Sequence, residues 1–239
     1  WGSATALTAA NTLRIWSHDN FGEDLIFNAR DGGIYYWDTS ADTLGTDRGT
    51  ALSDLAGADA GTPTLAKQVL VSDRDRHIIA MGCDAADSLG TLDPLLIRFS
   101  SQESATIWDT QVENSAGDLR VGAGTQIICA VETRLNVLVF TDVSVHSMQY
   151  LGPPFTFGID QLSENTTIAG PLAAKAVDDM VFWMGIEEFY IYTGQVQKLP
   201  CTVLTYVFND FNLEQTEQVT AALNSSFSEV WWFYCSAGS

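Results

Sequence analysis

Short apolar segments that recur along the chain constrain its fold more than any other sequence feature. They are rich in β-branched and aromatic residues and are bounded by Gly, Asp, Asn or Pro, which is the pattern of β-strands. In the second half of the chain the most apolar segments begin near Leu138, Val181 and Val230. This recurrence of roughly 45 residues matches a four-stranded propeller blade. The sequence therefore predicts an all-β, partial β-propeller-like fold.

Two kinds of predicted strand differ in their expected burial. A continuous apolar run such as VFWM at 181–184 suits a strand buried on both faces, whereas alternating segments suit half-exposed outer strands. The DGG segment at 31–33 predicts a tight hairpin turn, because Gly tolerates a positive φ. The predicted strands are 25–27, 34–37, 69–71, 77–81, 95–99 with a partner at 106–108, 127–131, 137–140, 143–150, 173–176, 180–184, 189–192, 195–199, 219–223 and 230–234.

Two segments depart from the strand pattern. Residues 203–211 are predicted to form one short helix that connects two blades, with Thr202 as its N-cap after Pro200. The polar stretch at residues 39–63 is predicted to be a loop or a small excursion. The chain lacks an initiator Met and ends directly after a strand-like run, so we interpret residues 1–239 as a fragment of a larger β-propeller protein.

The acidic balance of the chain disfavours several classes of partner. There are 30 acidic and 11 basic residues, which give a formal net charge of −19, and no cluster of Lys and Arg. Recognition of nucleic acid through its phosphates requires such a cluster, so we expect no specific DNA binding. No apolar run approaches the ~20 residues of a membrane-spanning helix, and the first residues lack a signal-peptide pattern. We expect no membrane insertion.

The cysteines Cys83, Cys129, Cys201 and Cys235 are widely and irregularly spaced. A zinc site needs closely spaced pairs, and disulfide frameworks belong to smaller secreted domains. We therefore predict four reduced, buried thiols and no metal site.

No motif identifies a catalytic or cofactor-binding residue. His18, His77 and His146 lie on different predicted elements and lack the G-x-S-x-G context of a nucleophile elbow. A glycosidase needs two carboxylates that face each other across a cleft. The adjacent pairs at 178–179 and 187–188 would point to opposite faces of a strand, so we predict exposed hairpin turns there.

Two weaker motifs are also assigned no chemical role. The Trp-Asp pairs at 37–38 and 108–109 suggest WD repeats, but neither has the upstream Gly-His pair. The GAG segment at 122–124 lacks the Lys and third Gly of a phosphate loop. We expect no catalytic residue, no cofactor and no metal, and predict that the chain is not an enzyme.

Several segments, taken in order, resemble one family. They are IWSHDNFGEDL at 15–25, GIYYWD at 33–38, DPLLIRFS at 93–100, MQYLGPPFTF at 148–157, VFWMG at 181–185 and EVWWFY at 229–234. Together they are similar to the tail nozzle, or tail tubular protein B, of short-tailed bacteriophages. The resemblance extends over nearly the whole chain.

This resemblance implies a structural virion protein with a β-propeller body, which assembles as a homo-oligomeric, hexameric ring. Its neighbours would be the adaptor (tail tubular protein A) and the tail fibre proteins. The ring would form the distal tail channel through which DNA is ejected into the host, without binding that DNA specifically. The implied location is the virion tail, after assembly in the host cytoplasm. Phe21 and Phe155, at turns, are candidate contacts between neighbouring subunits, with local packing inside the chain as the alternative.

Two other functions stay open. One is a propeller-fold enzyme that acts on glycans, whose acids would lie on separate blades and leave no local motif. The other is a propeller binding module outside any virus. An ordered ring would favour the tail nozzle, and turnover on a glycan panel would favour the enzyme.

Overall fold

The computed structural model describes residues 13–41 and 46–238, which form a succession of small antiparallel sheets. Within each sheet the strands pair in chain order, with one short strand added to the side of the first sheet. The strands are, in sheet I, β1 Trp16–Phe21, β2 Asp24–Ala29, β3 Gly32–Trp37, β4 Thr50–Ala51 and β5 Leu65–Ala66; in sheet II, β6 Gln68–Val71, β7 Ile78–Met81, β8 Leu96–Phe99 and β9 Gly117–Arg120; in sheet III, β10 Ile127–Glu132, β11 Val137–Thr141, β12 Ser144–Gly152 and β13 Thr156–Glu164; in sheet IV, β14 Ala174–Val177, β15 Met180–Met184, β16 Phe189–Tyr192 and β17 Val196–Lys198; and in sheet V, β18 Thr220–Asn224 and β19 Glu229–Phe233.

The first strands of successive sheets lie next to one another. Strand β1 contacts β6, β10 contacts β14, and β14 contacts β18. A parallel bridge between Leu172 and Thr220 joins the beginnings of sheets IV and V. Each sheet thus continues outward from its first strand, which is the arrangement of propeller blades. The predicted all-β, propeller-like fold is confirmed.

The hydrophobic core is divided into clusters between consecutive sheets. Ile26 and Ile78 belong to a cluster between sheets I and II. Ile97 and Val139 belong to one between sheets II and III. A third cluster joins sheets III, IV and V around Trp183. Each sheet is therefore stabilised by apolar contacts with its neighbours along the chain.

The second and third strands of a complete sheet are more buried than its fourth strand. Every residue of β7 and of β11 is buried, while β9, the outermost strand of sheet II, alternates between half-buried and exposed residues. This confirms the predicted difference between buried inner strands and half-exposed outer strands, because an inner strand has strands on both edges and sheets on both faces.

The predicted strand at 106–108 is wrong. The partner of β8 is β9, and Trp108 lies in a loop. A carboxylate oxygen of Asp59 accepts hydrogen bonds from the backbone N–H groups of Trp108 and Asp109, at 2.8 and 3.0 Å. Because these donors are satisfied by a side chain, the segment does not need a neighbouring strand.

Two long strands were not predicted from the sequence. Strand β1 contains His18, Asp19 and Asn20, and the nine-residue β13 contains Gly158 and Asp160. In both strands polar residues interrupt the few apolar and aromatic ones, such as Trp16 in β1 and Phe157 in β13, so the strand signal is weak. Pairing with an apolar neighbour places them in the sheet.

The hairpin between β2 and β3 forms where it was predicted, but a different residue adopts the special conformation. Asp31 has φ 58°, whereas Gly32 and Gly33 belong to β3. Asp tolerates the left-handed region because its short side chain can hydrogen-bond locally. Gly33 is needed for space: a Cβ there would lie 2.9 Å from the hydroxyl of Tyr35.

The connecting helix is α1, Leu204–Asp210, between sheets IV and V. Its N-cap is Val203 without a side-chain hydrogen bond, so the predicted Thr202 cap is wrong. Two 3₁₀ helices, Leu52–Asp54 and Leu213–Gln218, complete the helical elements of the described residues. Stretch 39–63 contains the first of these and the short β4, and its residues 42–45 lie outside the described part of the chain.

All four cysteines are unpaired, as predicted, but only Cys83 and Cys129 are buried, while Cys201 and Cys235 are half-buried. Burial raises the pKa of the Cys83 and Cys129 thiols to about 12. None of the described helices is long and apolar enough to span a bilayer.

Candidate functional site

The three histidines lie on different sheets. His18 is on β1, His146 is on β12, and His77 precedes β7. His77 and His146 are buried, and burial lowers the pKa of both imidazoles. His77 Nδ1 lies 2.7 Å from the carbonyl oxygen of Ser100, and His146 Nε2 lies 2.9 Å from Ser144 Oγ. Because both rings are buried among sheet residues, neither can meet a substrate from solvent.

The adjacent carboxylate pairs lie in hairpin turns, as the sequence predicted. Asp178 forms an exposed ion pair with Arg134 at 2.9 Å, between the turns of sheets IV and III. Glu188 forms a second ion pair with Lys198 at 2.7 Å. These carboxylates neutralise nearby cations and do not face one another across a cleft.

A cavity of about 390 Å³, here called the central pocket, opens where the inner strands of sheets I, II and III meet the start of sheet IV. Its walls carry five charged side chains, those of Asp19, Arg30, Lys67, Glu132 and Lys175. Three of the eleven basic residues of this acidic chain are therefore concentrated here.

Polar side chains around the central pocket fasten each sheet to the next. Asp19 Oδ2 on β1 accepts a hydrogen bond from the backbone N–H of Val71 on β6 at 2.8 Å. The Gln68 side chain on β6 both accepts from and donates to the backbone of Ala130 on β10, at 2.8 Å in each case. Glu132 Oε1 accepts from the backbone of the β6–β7 turn at 3.1 Å. The inner strands are thus joined by side-chain clamps where no continuous ladder connects them.

The charges in the central pocket differ in environment. Lys67 is largely buried and pairs with Asp31 at 2.9 Å, whereas Lys175 is exposed. Burial raises the pKa of Glu132 to about 7, and the negative charge of nearby Asp19 acts in the same direction. The pocket therefore contains two carboxylates, one of which titrates near neutral pH, and this is a combination that can supply an acid and a base.

Sheet V exposes aromatic side chains on one side. Trp231 on β19 is 49% exposed, and Phe233 is also exposed, with 6.3 Å between the two ring centroids. Trp231 Nε1 donates to Glu229 Oε2 at 2.9 Å. We call Trp231 and Phe233 the sheet V face.

Sheet I carries a second group of aromatic side chains, of which Trp16 is exposed while Phe27 and Tyr35 are half-buried. Trp16, Phe27 and Tyr35 lie side by side on three strands, with centroid distances of 6.2 Å and 5.5 Å. On the opposite side of the sheet, Ile26 and Ile34 are buried against sheet II. We call Trp16, Phe27 and Tyr35 the sheet I face.

Of the two proposed subunit contacts, only Phe155 is exposed, at 72%. Phe21 is buried and packs against Tyr36, with 6.4 Å between ring centroids. For Phe21 the structure supports the local-packing alternative, because the last residue of β1 turns into the core between sheets I and II.

Comparison with known proteins gives matches at the level of the fold. No protein-family model matches the chain, and no curated protein matches it significantly. Among solved structures, the extracellular domain of the putative one component system BT4673 from B. thetaiotaomicron is similar with a TM-score of 0.54 and 13% identity, over 91% of this chain and 26% of that one. The CNH domain of AfRom2 is similar with a TM-score of 0.51 and 13% identity, over 97% of this chain and 68% of that one.

Hsv2 of Kluyveromyces marxianus matches with a TM-score of 0.46 and 9% identity, over 92% of this chain. The chain spans 57% of Hsv2 and about a quarter of the BT4673 domain. At these identities the comparisons concern architecture alone. The two matches with TM-scores above 0.5 agree with the sheet succession in a β-propeller-like architecture.

Proposed function

We propose that this chain is a structural binding module that acts by assembling with other protein surfaces, and that it has no catalytic role. The observation that carries the proposal is the exposed aromatic sheet V face, together with the partly exposed sheet I face. Interface cores are enriched in Trp, Tyr and Phe. The two faces have the composition of contact surfaces and lie at the ends of a rigid body of packed sheets.

The particular assembly that we propose is the tail nozzle of a short-tailed bacteriophage. It rests on the in-order sequence segments from Ile15 to Tyr234 and on the net charge of −19. Copies of the chain would occupy neighbouring positions in a hexameric ring, in contact with the adaptor and the tail fibre proteins in the virion. An acidic ring suits a DNA channel because it repels phosphate and does not hold the passing duplex.

The assembly is tested by sedimentation velocity over a wide concentration range. We expect the wild type to self-associate, and Trp231→Ser with Phe233→Ser to weaken that association. The matched control is Phe227→Ser, which removes an exposed ring from the turn between β18 and β19 and is expected to change nothing. If all three proteins sediment as monomers under every condition, the assembly proposal is wrong for this chain.

The channel role is tested by a titration with duplex DNA at low salt, where any attraction between cations and phosphates is strongest. We expect no binding tighter than the weak non-specific range of ~10⁻⁴ M. Sub-micromolar binding that weakens steeply with salt would overturn the nozzle proposal and leave the more general binding module standing.

A second candidate is an enzyme that acts on glycans, favoured by Asp19 and Glu132 in the central pocket. Two carboxylates with different environments can act as acid and base or nucleophile on a glycosidic bond. Against it, each carboxylate accepts a backbone hydrogen bond that joins two sheets. Turnover on a glycan panel that is lost in both Asp19→Asn and Glu132→Gln would establish this candidate and displace the binding module.

A further inference from the structure

Arg98, on β8 of sheet II, is a buried cation without a contacting counter-ion. The residue is 4% exposed. Its guanidinium donates two long hydrogen bonds, to the carbonyl oxygens of Asp84 at 3.4 Å and Trp108 at 3.3 Å. Within residues 13–41 and 46–238, no carboxylate oxygen forms an ion pair with it. Arginine stays protonated in proteins and has five N–H donors, so the site retains donors and an unpaired positive charge.

Arg98 lines a cavity of about 370 Å³ between sheet II and the loops at 84–87 and 108–110. The side chains of Asp87, Asp109 and Asp118 line the same cavity. Asp118 is directly opposite Arg98 in the pairing of β8 with β9, so both side chains leave the sheet on one face. The cavity therefore holds one cation and three anions that stay apart, in a volume within the roughly 300–1,000 Å³ of small-molecule sites.

Hydrogen bonds fix the walls of this cavity in advance. The Asp59 carboxylate holds the backbone of Trp108 and Asp109, and Trp108 Nε1 donates to the carbonyl oxygen of Ala105 at 2.8 Å. The Asp109 side chain packs directly over Gly61, where a Cβ would lie 2.1 Å from its Oδ1. A site whose walls are already ordered loses little conformational entropy when a ligand binds.

We propose that this cavity binds a small zwitterion of the α-amino-acid type. The ligand carboxylate would accept hydrogen bonds from the Arg98 guanidinium, which matches a carboxylate in geometry. The ligand ammonium would donate to the aspartates at the rim. A simple anion is disfavoured by three carboxylates, and a simple cation is disfavoured by Arg98. A zwitterion satisfies both signs and adds no net charge beside the buried Arg98 guanidinium.

This inference is independent of the proposed assembly, because the cavity lies in sheet II and uses neither aromatic face. The experiment is isothermal titration calorimetry of the whole chain with each of the twenty L-amino acids, and with acetate and methylammonium as probes of a single charge. We expect at least one amino acid to bind, and acetate and methylammonium to bind at least about tenfold more weakly, as loss of a charged hydrogen bond predicts.

Arg98→Met is expected to abolish amino-acid binding. The matched control is Arg120→Met, on the neighbouring strand, which breaks an ion pair with Asp93 and should leave binding unchanged. Since Arg98→Met can impair folding, Asp118→Asn serves as a second variant: its side chain is exposed, and it should weaken amino-acid binding while leaving acetate binding intact or stronger. Absence of binding by any amino acid to the wild type, or equal binding by Asp118→Asn and the wild type, overturns the proposal.

Discussion

Sheets IV and V each place a tryptophan-containing strand second in order, yet these strands are buried to very different extents. In sheet IV, Trp183 on β15 is fully buried, with 5.1 Å to the ring of Phe140 and 5.4 Å to that of Tyr190. In sheet V, Trp231 on β19 is 49% exposed. The two strands have similar composition, so their burial is decided by what surrounds them.

The difference has two causes. Side chains alternate along a strand, so Trp231 points away from the core while the next residue, Trp232, packs against it. The two strands also differ in their number of neighbours. Strand β15 has β14 and β16 at its edges, whereas β19 has only β18. Sheet IV also packs against sheets III and V in one continuous apolar cluster. A partly unpaired apolar strand offers both an open edge and an open face, which is the usual starting point for contacts between chains. The comparison thus separates the interior of the fold from the surface that we assign to assembly.

The largest expected effect comes from substituting the two tryptophans. Trp183→Ala should lower the free energy of unfolding by about 3–5 kcal/mol, because it removes a fully buried ring and leaves a cavity. Trp231→Ala should lower it by less than about 1 kcal/mol, because that ring is half exposed. Urea denaturation of both variants measures the difference. Equal losses of unfolding free energy would contradict the assignment of Trp183 to the interior and Trp231 to the surface.

The next largest effect is expected at the clamp between sheets II and III. Gln68→Ala leaves the N–H and carbonyl groups of the buried Ala130 without their partner. Each unsatisfied group is costly, so the free energy of unfolding should fall by about 1–3 kcal/mol. Gln102→Ala, in an exposed loop, is the control and should be neutral within error. A neutral Gln68→Ala would mean that packing alone joins the sheets.

A smaller, pH-dependent effect is expected for Glu132. Since the folded protein raises the pKa of this carboxyl from its ordinary value to about 7, its stability contribution is fully present below about pH 4.5 and is lost as pH rises through 7. Glu132→Gln keeps the hydrogen-bond acceptor and removes the charge. The variant should gain stability over the wild type at pH 8 and match it more closely at pH 5. If the urea midpoints of the variant and the wild type differ by the same amount at pH 5 and at pH 8, the raised pKa is contradicted.

The smallest effect is expected at the exposed ion pair between sheets III and IV. Arg134→Met removes the partner of Asp178, but both side chains are well exposed, so water screens the attraction. The free energy of unfolding should change by less than about 0.5 kcal/mol. A loss as large as that of Gln68→Ala would show that surface charges, and not buried clamps, hold the sheets together.

The predictability of the fold depended on how apolar each strand is. Strands β7, β11 and β15 were predicted because a continuous run of apolar residues is stable in a folded protein when it is buried. Strands β1 and β13 were missed because their polar residues pair with apolar neighbours that are known only from the tertiary structure. The loop at Trp108 was mistaken for a strand because Asp59, far away in sequence, satisfies its backbone.

The candidate sites were less predictable than the fold. Arg98 lies within a run of apolar residues that predicts a buried strand. That no carboxylate pairs with its charge can be seen only from the distances in the tertiary structure. The central pocket likewise draws Asp19 and Glu132 from different sheets, and no local spacing connects them. A possible signal for Arg98 was the presence of a cation within the apolar run LLIRF at 95–99.

The sequence by itself determined the all-β class, the roughly 45-residue recurrence of its later sheets, the connecting helix and the strongly acidic charge. These properties follow from local composition and spacing, which each segment carries wherever it lies. Only the tertiary structure decided which tryptophans are buried, which carboxylates share a pocket and which arginine lacks a counter-ion. Those properties depend on distances between segments that are remote in sequence, because burial and electrostatic pairing are set by neighbours in space.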